Sequence, residues 1–204
     1  MKKIALIIIL VLFIFLLNFR LLVYNTDFYY EEFEKIPITI EKETSQIETQ
    51  KLISYFKGKN ELSNFFNEKE KLHLKDVKNL INKTNYIFYI TLILLPILIY
   101  FNKKNLKKLF LLSSIISILI ILIFYLINFE NFFNNTFHQL LFNNDLYLLD
   151  PEKDNLINLF PYQFFQDFTH KMFLNTLIIN LIILIITLFL FRKQILKILS
   201  IRSK

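Results

Sequence analysis

Two histidines carry the chemistry this chain can do. His73 sits in Glu70-Lys71-Leu72-His73-Leu74-Lys75-Asp76-Val77-Lys78, and His138 in Phe137-His138-Gln139-Leu140-Leu141-Phe142. Imidazole changes charge near neutral pH, so each ring can take a proton, give one, or bind a metal. Carboxylates lie close to both in sequence. Glu70 and Asp76 stand three residues either side of His73, and Asp150 and Asp154 follow His138. A carboxylate beside one ring nitrogen fixes the tautomer and supports the imidazolium, so these four are expected to support the pair. Taken alone, each histidine reads as an ordinary surface or interface residue. Together, in two polar segments between apolar runs, they read as two halves of one reaction site. His170, the third histidine, reads as interfacial.

Other chemistries have less behind them. There is no cysteine, so thiolate nucleophiles, thiolate metal sites and disulfides are excluded. Ser45, Ser54 and Ser63 lack a nucleophile-elbow motif. His73, Asp76, His138 and Asp150 supply two nitrogens and two carboxylates for a metal, but at no diagnostic spacing.

The elements that must position the histidines are membrane-length. The 204 residues are 54% hydrophobic, and the apolar residues are clustered. Runs of about 18 or more apolar residues span a bilayer as helices. Four are expected, at residues 1–23, 86–101, 109–127 and 173–191. Pro96 is tolerated inside the second, and Ser113, Ser114 and Ser117 in the third pack helices or bond carbonyls. The segments 24–85 and 128–172 lie between them. In the first, residues 36–41 alternate like a short strand, and Ser45 with Glu48 resembles a capping box before a helix 46–56 that ends at Gly58. Asn67 with Glu70 starts an amphipathic helix 67–83 that carries His73 on the edge of an apolar face. The fold expected is an all-α membrane protein with four transmembrane helices and a small mixed α/β extracytoplasmic cap. From His73 to Tyr86 is roughly 20 Å of helix. Lipid-level chemistry at His73 therefore needs this helix to tilt, to break near Asn82–Asn85, or to lie along the surface.

Charge sets the orientation. All 17 acidic residues fall within Asp27–Asp76 and Glu130–Asp167. The short connection 102–108 and the tail 192–204 are basic and contain no acid. This positive-inside pattern places both termini in the cytoplasm and both polar segments outside. It also accounts for the net charge of +7 without nucleic acid. Arg20 snorkels toward headgroups as an interface anchor.

Both histidine blocks resemble those of the lipoprotein intramolecular transacylases, the Lit family of small bacterial integral membrane proteins. The resemblance rests on residues 70–78, on Phe137-His138 through Asp150-Pro151, and on Asp154, Pro161 and Phe164-Phe165. The order of four helices and two outer segments agrees as well. Tyr147 departs from the pattern, which expects tryptophan there. The resemblance implies transfer of the sn-2 acyl chain of a lipoprotein's diacylglyceryl-cysteine to that cysteine's own α-amino group, giving a lyso-form lipoprotein. It implies His73 and His138 as the catalytic pair. Phe137, Phe142 and Tyr147 are expected to meet acyl chains. No cofactor is implied; the partners are a diacylated lipoprotein and membrane lipid, in the bacterial cytoplasmic membrane. A metal-dependent membrane hydrolase and a non-catalytic membrane scaffold are the competing classes.

Overall fold

The structure, a computed structural model, describes residues 1–127 and 129–202, excluding the side chains of Asn134, Asn135 and residues 193–202. Every regular element among the described residues is helical. Helix α1 (Lys2–Val23) contains neither glycine nor proline and runs unbroken. The Asn25 side chain then accepts from the Asp27 and Phe28 amides at 3.1 and 3.4 Å, capping α2 (Thr26–Lys35). Helix α3 (Lys42–Phe56) follows. It ends where Gly58 adopts φ +73° and donates to the Tyr55 carbonyl. Only glycine takes that left-handed turn without strain.

Helix α4 (Glu68–Asn102) is 35 residues long and carries Pro96 inside it. A short 3₁₀ turn (Lys103–Asn105) leads into α5 (Leu106–Tyr125). Beyond it, α6 (Phe129–Asn131), a π-helical turn (Phe132–Phe137) and α7 (His138–Leu141) form one wound segment. Helices α8 (Asn155–Leu159) and α9 (Tyr162–Arg202) complete the chain. Among the described residues, three helical stretches are long and apolar enough to cross a membrane: Lys2–Val23, Glu68–Tyr125 and Tyr162–Arg192. The second contains both α4 and α5.

The chain divides into two compact units. One comprises Met1–Asn18, Tyr86–Leu126 and Met172–Lys204. Its core joins Leu6 and Leu10 of α1 to Leu109 of α5, with Leu95, Leu98 and Ile99 of α4 packed against them. Asn102, buried at the end of α4, donates to the Leu98 and Lys2 carbonyls and ties the α4–α5 turn to α1. Ser113 and Ser114 both donate to the Phe110 carbonyl at 2.9 Å, so they cost the apolar interior no unpaired hydroxyl.

The other unit comprises Phe19–Asn85 and Ile127–Lys171. Phe28, Tyr29 and Phe33 of α2 pack on Phe160 and Phe164, with ring centroids 5.2–6.5 Å apart. Burying each such ring stabilises the fold by roughly 1.5–3 kcal/mol.

Several expectations need correction. The polar segments are helical, and no strand occurs among the described residues. Residues 36–41 form an irregular stretch with bends at Ile36, Thr39 and Ile40, because the Ile36 amide donates to the Glu32 carbonyl as the cap of α2 and Pro37 has no amide to offer. Ser45 lies inside α3, where its hydroxyl bonds the Glu41 carbonyl at 3.0 Å; the helix starts earlier, at Lys42. The helix carrying His73 does not break at Asn82–Asn85 but continues as α4. Helix α2 and the early start of α9 were absent from the sequence reading. Residues 128, 203 and 204 of the expected outer segment and tail lie outside the described residues.

Candidate functional site

Helix α4 begins with a reciprocal cap. The Asn67 side chain accepts from the Glu70 amide at 3.0 Å, and a Glu70 carboxylate oxygen accepts from the Asn67 amide at 2.6 Å. Glu70 is fully buried. Its other oxygen accepts from the Leu156 amide at 2.5 Å, in the first turn of α8. One carboxylate thus caps two helices from distant parts of the chain. Three more ties run the same way. Asn67 donates to Asp154 at 2.7 Å, Asn144 donates to Asp76 at 2.9 Å, and Lys69 donates to the Leu148 carbonyl. Asp154 also accepts from the Asp150 amide at 2.7 Å, and Asp150 pairs with Lys153 at 3.0 Å.

This lacing clamps residues 142–156 against the first turns of α4. His73 and His138 thereby face each other, with ring centroids 6.4 Å apart. Phe142, buried, sits against both rings, 5.3 Å from His73 and 6.0 Å from His138. Tyr147 stacks nearly parallel on His138 at 4.8 Å and 16°. Phe133 and Phe137 meet its ring edge-to-face at 4.8 and 5.4 Å. Aromatic rings wall the pair of imidazoles.

The hydrogen bonds distinguish the two rings. His138 Nδ1 lies 2.8 Å from the Phe133 carbonyl, five residues earlier, across the π-helical turn. A carbonyl only accepts, so Nδ1 carries the proton and the Nε2 lone pair is left to act. In contrast, His73 Nδ1 is buried without a partner. Leaving a lone pair unpaired there costs less than an orphaned N–H, so the His73 proton belongs on Nε2. Burial pushes the His73 imidazole down to about 4; the charges of His138 and Lys69 add to this, and Asp76 opposes it. Burial also lowers His138, opposed by the Phe133 bond.

The four carboxylates expected to support the histidines are placed differently. Among the described residues none comes within ion-pair distance of either ring. Glu70, Asp76, Asp150 and Asp154 are bonded instead to amides, asparagines and lysines of the clamp. No cluster of three or more potential metal ligands occurs among the described residues. His170 is exposed. Arg20 bonds Asn85 at 2.5 Å. The Phe133 carbonyl, the most direct partner of His138, was missed because a main-chain acceptor leaves no trace in residue type.

Comparison with known proteins identifies a family. The family model described as lipoprotein intramolecular transacylase Lit matches residues 4–165. No curated protein matches. Among solved structures, the in meso structure of the membrane integral lipoprotein intramolecular transacylase Lit from Bacillus cereus is 25% identical, with TM-score 0.75, covering 96% of each chain. A variant of that protein with one histidine replaced by arginine is 27% identical, with TM-score 0.78, covering 96% of this chain and 93% of that one. A second variant, with alanine in place of a histidine, gives 26% and 0.76, covering 96% and 94%. An aromatic-walled histidine pair in an all-helical, membrane-capable chain, matched over most of its length by that family, leads to one assignment: this protein belongs to the Lit family, the lipoprotein intramolecular transacylases, and is a membrane acyltransferase.

Proposed function

We propose that the enzyme moves the sn-2 acyl chain of a diacylglyceryl-cysteine lipoprotein to the α-amino group of the same cysteine, with His138 and His73 managing the protons. The observation that carries this reading is the facing pair of imidazoles, held so that Nε2 of one ring offers a lone pair and Nε2 of the other a proton.

The α-amino group, with a pKa near 8, is mostly an ammonium at neutral pH and reacts from its neutral fraction, the first proton having gone to water. Its nitrogen attacks the sn-2 ester carbonyl, forming the C–N bond, and His138 Nε2 takes the second proton from that nitrogen. His73 Nε2–H donates to the carbonyl oxygen as it gains charge. A neutral imidazole suits that role because it stabilises the oxyanion without losing its proton. When the tetrahedral intermediate collapses, the C–O bond to glycerol breaks and the leaving oxygen takes a proton from the His138 imidazolium. The products are an amide and a free glycerol hydroxyl, with His138 returned to its starting state. The Phe133 carbonyl supports the imidazolium between the two transfers. Donor and acceptor share one molecule, so positioning supplies much of the rate. Phe137, Phe142 and Tyr147 line the approach of acyl chains.

In the membrane, we assign four spans within residues 1–23, 86–101, 109–127 and 173–191. Both termini lie in the cytoplasm and the histidines on the extracytoplasmic side, in keeping with the acid-free short connections. Because α4 is continuous, it must tilt or the substrate must rise for an ester to meet His73.

The test is a lipoprotein carrying an isotope-labelled sn-2 chain, incubated with the purified enzyme. Mass spectrometry of its N-terminal peptide should find the label in an amide on the cysteine. Label released as free fatty acid, or carried to a second lipoprotein molecule, would overturn the proposal.

A further inference from the structure

A cavity of about 740 Å³ lies far along the chain from the histidines, between the start of α5 and residues 183–191 of α9. It falls within the range of small-ligand pockets, roughly 300–1,000 Å³. Its lining mixes two chemistries. Lys103, Lys104, Lys107 and Lys108 supply a cationic rim. Phe110, Ile183, Ile186 and Leu190 supply apolar walls. No acidic residue occurs in the sequence between Asp76 and Glu130, or after Asp167, so α5 and this stretch of α9 bring no acidic side chain to the rim. Lys104 and Lys108 are exposed. The turn that presents them is held in place by the buried Asn102, through its bonds to the Leu98 and Lys2 carbonyls.

Membrane orientation requires positive charge on a connection, but it does not require a groove beside that charge. We infer that this cavity is a binding site for one anionic phospholipid, its phosphate on the lysine rim and its acyl chains along the apolar walls. Charge complementarity selects an anion, and the apolar walls select one that carries hydrocarbon. A free phosphate would leave Phe110, Ile183, Ile186 and Leu190 uncovered. Juxtamembrane lysines and basic pockets between membrane helices attract anionic headgroups in this way. The inference stands apart from the transacylation chemistry, because the cavity shares no residue with the histidine site.

The experiment places the full-length protein in nanodiscs of equal phosphatidylcholine and phosphatidylglycerol and reads retained lipid by native mass spectrometry. The wild type should retain one phosphatidylglycerol in preference to phosphatidylcholine. The double variant K104A/K108A, which keeps Lys103 and Lys107 to preserve orientation, should lower that preference roughly tenfold or more, since each lysine near an anionic headgroup contributes on the order of a fivefold factor. Ile186→Trp fills the groove without touching a charge and should also lose the lipid. Equal retention of both lipids by the wild type would overturn the inference. So would an unchanged preference in either variant, or displacement of the lipid by millimolar inorganic phosphate.

Discussion

Glu70→Gln separates two accounts of the buried carboxylate one turn before His73. Glu70 accepts from the Asn67 amide at 2.6 Å and from the Leu156 amide at 2.5 Å, and it is fully buried. Both bonds are charge-assisted, each contributing roughly 1.5–3 kcal/mol. Glutamine keeps one accepting oxygen but turns an NH₂ toward an N–H, so one bond is lost and two donors oppose each other without water. The expected loss of stability is about 2–3 kcal/mol. It should appear as a lower thermal midpoint for the purified protein in detergent. Activity should fall because residues 142–156, which carry Phe142 and Tyr147, loosen from α4. The acid limb of the pH–rate profile should stay where it is, because Glu70 has no bond to either imidazole. A variant of normal stability whose acid limb moves would refute the reasoning. It would return Glu70 to the role of a histidine partner.

Other expectations are as direct. Tyr147→Phe keeps the stack on His138 and should retain most activity, whereas Tyr147→Ala should lose at least tenfold, on the order of 1.4 kcal/mol, as expected for a lost aromatic contact. Burial depresses both histidines from the ordinary value of 6.5, His73 to about 4. The basic form of His138 therefore persists below pH 6.5, and the acid limb of kcat/KM should lie below that value. For stability the sign is the same. The unfolded chain binds more protons than the folded one between these pKa values, so the stabilisation is full above pH 6.5 and declines as pH falls toward 4. Denaturant unfolding across that window checks it. Gly58→Ala meets no neighbour but holds φ +73°, so it should destabilise the protein by about 1–2 kcal/mol and leave specific activity unchanged.

Much of this was legible in residue type and spacing. The membrane-length helices announce themselves through length and apolar content. The Gly58 stop and the Asn67–Glu70 start obey local rules that hold whatever packs around them. The pairing of His73 with His138 could be proposed because two titratable rings interrupt the same kind of polar segment. The partners of the carboxylates were not legible. Sequence proximity suggested that Glu70 and Asp76 serve His73, yet Glu70 answers the Leu156 amide and Asp76 answers Asn144, contacts that exist only once distant segments meet. Helix α2 was hidden because what fixes it is tertiary: Tyr29 and Phe33 bury their rings on Phe160 and Phe164, far along the chain. The expected strand at 36–41 failed because alternation over so few residues, with Pro37 among them, specifies no partner strand.

The central claim is that both imidazoles handle the protons and charge of a single acyl transfer. Its most direct test is lyso-lipoprotein formation by His73→Ala and His138→Ala, each shown to be present in membranes at wild-type level. The account predicts that His138→Ala abolishes the product and that His73→Ala lowers its rate by 10²-fold or more, about the cost of removing one oxyanion donor. Near-normal product from either variant would contradict it.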